Sequence, residues 1–443
     1  MSFRAPLPPS LRELQSLPGT GAWRLMLQAL VTGLAAGGVI GFFRLAYTQI
    51  NSRVVACVQA WPPDTPQSLA VLAGALALLA VMAWLLLRHE PIIGGSGIPQ
   101  VELVIQGHWR MRWARALWTK FLGTLISLTG GLSVGREGPC IMMGAAVGMG
   151  VSRLWHDKNE TMPRYLIGGS VAGLAAAFGA PVAGLCFAFE EMKTPLSPPM
   201  LLFTSITALS AWLVIDALFD YGRVFPFALL SPLVWQQWWI APAAGAVMGM
   251  FGAVYNRAIV GGTLLLDKAR LPSLARAAMP FFLSAFFLLC YPQVLVGFGP
   301  NALDLENLSM PLTGLLLLLC VKALFSCASF ASGVSGGLLM PMLLVGALGG
   351  ALLASVLSGL NVIAADQNAT IIVLGMAGLF SATVRAPLTG AALLAEMSGA
   401  FSDAPLILIT AYLAALTANC LGSPPIYESL KLRLRAGKGA NGC

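Results

Sequence analysis

The sequence predicts an all-α polytopic membrane protein built from two related halves. Three observations carry that prediction: an extreme apolar composition, hydrophobic stretches of spanning length, and breaks in those stretches that recur once along the chain. Of 443 residues, 57% are hydrophobic and only 10% are charged, with a mean hydropathy of +0.80. Soluble domains carry about 25% charged residues, and no aqueous globule could hide so much apolar surface. The length allows roughly ten or more spans of about 20 residues each.

The formal charge of +8 does not point to nucleic acid, because the basic residues lie between apolar segments or at the tails rather than on one soluble face. Lys431, Arg433, Arg435 and Lys438 follow the last apolar stretch, and Arg4, Arg12 and Arg24 precede or begin the first. The positive-inside bias therefore places both termini in the cytoplasm, with an even number of crossings of the plasma (inner) membrane. The Pro-rich opening of residues 1–18 lacks the pattern of a cleaved signal peptide. Eight cysteines are scattered without a C-x-x-C or a nearby histidine, so they are expected to be small buried hydrophobes, with no metal site and no cofactor.

Apolar segments fall near 24–48, 68–87, 117–150, 166–190, 200–219, 237–260, 278–298, 311–330, 336–360, 369–397 and 404–422. Gly130-Gly131, Gly135-Arg136-Glu137-Gly138-Pro139 and Ser335-Gly336-Gly337 interrupt runs that would otherwise continue. Such breaks free backbone N–H and C=O groups at bilayer depth, where they need a partner or a cavity. The breaks also repeat. Gly131, Ser133, Gly135, Pro139, Gly144, Ala145 and Gly148 recur as Gly333, Ser335, Gly337, Pro341, Gly346, Ala347 and Gly350, all displaced by 202 residues. Ala180-Pro181-Val182-Ala183-Gly184 leading to Glu190-Glu191-Met192 is matched by Ala386-Pro387-Leu388-Thr389-Gly390 leading to Glu396-Met397. The expected organisation is a cytoplasmic N-terminal segment (1–19), a first membrane repeat (20–219), a connector (220–236), a second repeat (237–427) and a cytoplasmic tail (428–443).

Paired broken helices in two halves point to a site near the midplane built from half-helix ends. The residues alone leave open whether the repeats are parallel or inverted. They do set the sign of the substrate. Gly and Pro stand where helices begin, and a helix start offers unpaired N–H groups and about half a positive charge, so the site takes anions. Glu137, a carboxylate inside an otherwise apolar span, is costly there and marks an ion path or a proton relay.

Gly95-Ser96-Gly97-Ile98-Pro99, Gly135-Arg136-Glu137-Gly138-Pro139, Gly337-Leu338-Leu339-Met340-Pro341 and the late Tyr427 occur in the order typical of the CLC chloride channels and transporters. The chain resembles that family over about residues 20–430. The resemblance implies an inverted-repeat helical subunit with its own pore, paired as a homodimer among membrane lipids and acting on chloride ions and protons. Ser96 and Tyr427 would then offer hydroxyls to a central chloride, and the N–H groups of Leu338 and Leu339 would complete the cage. Gly95, Gly97, Pro99, Gly135, Arg136, Gly138, Pro139, Gly337 and Pro341 would support it. A cage of dipoles without a full positive charge selects chloride yet lets it leave.

The same resemblance makes Glu137 the gate, occupying the outer anion site when ionised and swinging away when protonated. Glu191 matches the internal proton acceptor of the exchangers, which favours antiport over the alternative of a passive channel. Glu190 and Glu191 both face an unfavourable helix C-terminus, where a solvated helix end is the simple reading. Glu102 and Lys120 are expected to form a structural ion pair, since an unpaired buried charge is costly. Leu339 departs from the family's usual phenylalanine, which keeps the backbone donors but alters the inner closure. Ser96 argues against fluoride or nitrate export, because those relatives carry asparagine or proline there. With no soluble tail after residue 443, nucleotide-binding regulatory modules are not expected. Gly131-Leu132-Ser133-Val134-Gly135 spells the G-x-S-x-G of serine hydrolases. A nucleophilic serine needs a base, and His89, His108 and His156 all lie at segment ends in the first half, so the chain is not expected to be an enzyme.

Overall fold

The computed structural model describes residues 19–60, 65–156, 162–194, 197–219, 224–225, 227, 231–291, 295 and 310–440. The first repeat contains α1 (Gly19–Ala60), α2 (Pro66–His89), α3 (Ile98–Ile105), α4 (Trp113–Thr129), α5 (Glu137–Leu154), α6 (Met162–Phe178), α7 (Pro181–Glu190) and α8 (Pro198–Phe219). The second contains α9 (Ile240–Lys268), α10 (Ser273–Cys290), α11 (Leu312–Ala331), α12 (Leu339–Gly359), α13 (Asn368–Val384), α14 (Pro387–Ser398) and α15 (Ala404–Cys420). A final helix, α16 (Ile426–Ala440), runs across the boundary between the second repeat and the expected tail. Among the described residues, eight helices are long and apolar enough to cross a membrane.

The expected breaks are present, and two more divide segments that the apolar pattern left whole. Residues 166–190 split into α6 and α7, and residues 369–397 into α13 and α14. At each split a left-handed residue, Gly179 or Arg385, ends one helix and a proline opens the next. Apolarity cannot mark such a break, since both flanking helices are equally hydrophobic; the backbone turn does. Helix α3 also lay between the apolar segments, because it is only eight residues long.

The two halves pack alike. Helix α5 lies on α6 as α12 lies on α13, α1 on α8 as α9 on α15, and α6 on α8 as α13 on α15. The contacts within the α5–α6 and α12–α13 pairs rest on glycine. A β-carbon at Gly144 would overlap the Gly169 carbonyl, and one at Gly346 would stand 2.9 Å from the Met376 α-carbon. Small residues of this kind let backbones approach closely where lipid supplies no hydrophobic drive between helices. Every residue of α13 is buried, as is α5 from Glu137 to Ser152. The protein core is therefore the pair of broken-helix layers, with α2 and α10 among the helices that face outward.

The halves are inverted, and the α7–α14 contact makes the inversion explicit. Glu190, at the end of α7, accepts hydrogen bonds from Leu388 N (2.9 Å), Thr389 N (2.6 Å) and Thr389 Oγ1 (2.7 Å) at the start of α14. Glu396, late in α14, accepts from Val182 N (3.1 Å) and Ala183 N (2.9 Å) at the start of α7. Equivalent helices thus run antiparallel, each capping the other. This overturns the reading of Glu190 as a solvated helix end: a carboxylate unfavourable at its own helix C-terminus is favourable at its neighbour's N-terminus. Glu190→Ala is expected to lower stability by about 1–2 kcal/mol, read as a lower thermal unfolding midpoint in detergent.

Two further expectations are corrected. Lys120 is buried but does not pair with Glu102; its Nζ donates to Ile93 O (2.8 Å) and Gly95 O (2.7 Å). The turn before α3 leaves those carbonyls without helical partners, and Glu102 sits past the first turn of α3, bound instead to Lys431 (2.8 Å). Of the cysteines, Cys140 and Cys327 are buried and Cys186 is half-buried, but Cys57, Cys290, Cys320 and Cys420 are exposed. The outside of a membrane bundle is itself apolar, so a small hydrophobe need not be covered by protein. Cys443 lies outside the described residues.

Candidate functional site

The break motifs of the two halves bind each other. Gly135 N donates to Gly337 O (2.7 Å) and Gly337 N to Gly135 O (2.6 Å), and these two residues are the repeat equivalents, 202 apart. The Ser96 loop joins them: Gly95 N donates to Val334 O (3.0 Å), and Gly336 N to Gly95 O (3.1 Å). Backbone groups freed by the breaks are thereby satisfied by one another, as bilayer depth requires. Lys120 Nζ secures the same loop through Ile93 O and Gly95 O. Gly97, left-handed at φ 98°, is the N-cap of α3, and Pro99 is the helix's second residue. Pro139 and Pro341 lie in the first turns of α5 and α12, where a missing N–H is tolerated.

Ser96 stands against the start of α5. A β-carbon at Gly138 would overlap Ser96 Oγ, and one at Gly337 would stand 3.1 Å from Gly138 N. Ser96, the first turn of α5 and the first turn of α12 thus share one small region. Leu338 is the N-cap of α12 and Leu339 its first residue, both buried. N–H groups at that position have no acceptor within the helix. Tyr427, two residues past Pro425, is fully buried. The hydroxyls of Ser96 and Tyr427 neighbour each other, and neither makes a hydrogen bond of ordinary length among the described residues.

Glu137 is the first residue of α5 and is 0% exposed. Its Oε1 lies 3.7 Å from Arg136 Nε, beyond hydrogen-bonding distance. Neither oxygen is hydrogen-bonded at ordinary length among the described residues. The carboxylate faces its own N–H and that of Met340 in the first turn of α12. A single carboxylate therefore occupies the positive ends of two helices, the place an anion would take.

Glu191 caps the C-terminus of α7 and is 9% exposed. Its electrostatic neighbours are Glu102, Lys193, Lys431 and Glu428. Tyr427 lies within the field of both Glu137 and Glu191. Lys431 joins Glu102 to Glu428 (2.7 Å), and Lys193 reaches Glu428 at 3.2 Å, which ties α16 to α3 and to the end of α7. Lys431 and Lys193 hold the Glu428 carboxyl below the usual carboxylate range. The Glu428 links at the start of α16 are consequently present above that lowered value and are lost as pH falls through it.

The repeat separates architecture from chemistry. Glu190 corresponds to Glu396, whereas Glu191 corresponds to Met397, 206 residues on; Glu137 corresponds to Leu339, 202 residues on. The two acids singled out in the sequence are thus the ones the symmetry does not require. Sequence reasoning missed Lys120 as the anchor of the Ser96 loop and Lys431 as the partner of Glu102. Pairing at such separation leaves no local signal. Ser133 and Ser335 are buried; Ser133 N donates to Ser329 Oγ (3.2 Å), and Ser335 Oγ bonds Thr124 Oγ1 at 3.0 Å. The three histidines are exposed.

Together, the inverted repeat and the joined helix starts that hold a buried carboxylate define a membrane transport protein of the CLC type. A family profile described as voltage gated chloride channel matches residues 76–419, and the chain belongs to that family. It is 30% identical over 430 residues to the H(+)/Cl(-) exchange transporter ClcA of Vibrio parahaemolyticus, covering 93% of this chain and 90% of that protein. It is 34% identical over 366 residues to the protein of the same name from Vibrio cholerae, covering 80% of this chain and 77% of that one. A crystal structure of a slow cyanobacterial Cl-/H+ antiporter superposes with a TM-score of 0.85 at 27% identity, covering 94% of this chain and 99% of that chain.

Proposed function

We propose that this protein exchanges chloride for protons across the plasma (inner) membrane, with both termini cytoplasmic and two copies paired. The observation that carries this reading is the buried Glu137 carboxylate at the joined starts of α5 and α12, where its charge and a transported anion compete. Ser96, Tyr427 and the N–H groups of Leu338 and Leu339 hold chloride; Glu137 gates it and carries the proton; Glu191 receives protons from the cytoplasm. Relatives named exchange transporters support the coupling. The decisive measurement is simultaneous chloride and proton flux from proteoliposomes of the purified protein. Chloride flux that ignores a pH gradient would replace the exchanger with the passive channel.

Dipolar ligation also sets selectivity. Chloride and bromide pass, and sulfate is excluded by charge and size. Ser96→Pro removes a hydroxyl donor and resets the backbone, so nitrate use rises relative to chloride in a competitive flux assay; unchanged selectivity would remove Ser96 from the ligand set.

A further inference from the structure

Tyr427 owes its place to the turn that precedes α16, and that turn is short of internal partners. Pro424 and Pro425 have no N–H, and Gly422 is left-handed at φ 64°. The carbonyls that the turn presents are taken by three side chains from elsewhere in the second repeat. Arg257 Nη2 donates to Leu421 O (2.6 Å), Arg385 Nη2 to Ser423 O (2.6 Å), and Asn256 Nδ2 to Pro424 O (2.5 Å) and Ser423 Oγ (3.2 Å). Asn256 is 2% exposed, while Arg257 lies at the rim.

Arg385 carries a second, independent mark. It adopts φ 71°, the left-handed region that a non-glycine side chain enters only at a cost. The equivalent position of the first repeat, 206 residues earlier, is Gly179 at φ 68°, where the same backbone is unstrained. The fold needs the left-handed turn in both halves, but only the second half is followed by a helix bearing an anion ligand. A costly arginine stands where the symmetry shows that glycine suffices, and its guanidinium holds the turn leading to Tyr427. Strain of this kind persists where the surroundings over-determine it.

We propose that Asn256 and Arg385, with Arg257 at the rim, are positioning residues that clamp the 421–424 turn and so set where the Tyr427 phenol stands against Ser96. The clamp rests on Tyr427 being a chloride ligand. It acts through the phenol's position, so its loss weakens chloride binding and loosens the inner closure, letting chloride pass without its proton.

The test uses the full chain, purified and reconstituted, with chloride affinity and protons moved per chloride as readouts. Arg385→Gly removes the donor while relieving the left-handed strain, so a folded protein, verified by thermal unfolding in detergent, is obtained. Arg385→Gly and Asn256→Ala are each expected to weaken chloride affinity about three- to tenfold and to lower the protons moved per chloride. Arg385→Lys, which keeps a cationic donor, restores part of both. In a Tyr427→Ala background neither substitution has a further effect, which a merely structural role would not produce. Unchanged chloride affinity in folded Arg385→Gly, or a full additional loss in the Tyr427→Ala background, overturns the clamp. If Tyr427→Ala itself leaves chloride affinity intact, the ligand assignment of Tyr427 fails, and the clamp with it.

Discussion

Glu137→Ala is expected to abolish proton movement while chloride continues to leak down its gradient. The carboxylate is buried at the first turns of α5 and α12, and each helix start contributes about half a positive charge. An arriving chloride seeks the same field. Two unit negative charges about 4 Å apart repel by about 4 kcal/mol at an effective dielectric of 20, roughly a thousandfold in occupancy. Chloride enters fully only when Glu137 is protonated or displaced, and this exclusion links the two fluxes. Alanine removes the blocker and the proton carrier together. The measurement is a proteoliposome flux assay with an imposed chloride gradient; uphill proton movement by the mutant would refute the assignment.

Glu191→Gln should damage only one of the two fluxes. Glu191 stands at the C-terminus of α7 among Glu102, Lys193, Lys431 and Glu428, and is not part of the first turns of α5 and α12 proposed to hold the anion. Glutamine keeps the size and most of the hydrogen bonding while removing the titratable group. Chloride therefore continues downhill with its selectivity intact, and coupled proton uptake falls to background. Zero-current voltages make the result quantitative: the unmutated exchanger shifts with a pH gradient and the mutant does not. Full coupling in the mutant would assign the proton step to another acid. Glu190 is a poor substitute, because its two oxygens already accept three hydrogen bonds from α14.

Much of the architecture was legible because a bilayer punishes unsatisfied backbone. Breaks at Gly130-Gly131, Gly135 to Pro139 and Ser335 to Gly337 are visible as polar or flexible interruptions of apolar runs. The breaks at Gly179 and Arg385 were not, since a left-handed residue followed by a proline changes direction without changing apolarity. One acid was legible for a related reason. Glu137 stands in apolar company where a carboxylate needs a purpose, whereas Glu191, beside Glu190 and near Lys193, was set apart only by the family resemblance. Its neighbour Glu190 looked the same in sequence, and only the partner helix 198 residues away tells it apart.

The sequence by itself determined the membrane class, the two-fold repetition and the anionic sign of the substrate. Hydrophobic length, motif spacing and the polarity of a helix start are local properties that composition and order express directly. Tertiary structure decided what depends on distant residues meeting: the antiparallel sense of the halves, through the mutual caps of Glu190 and Glu396, and the partners of the buried lysines. Lys120 takes two carbonyls and Lys431 takes Glu102, because a buried charge binds whichever acceptor the packing brings within about 3 Å. Sequence distance does not enter that choice.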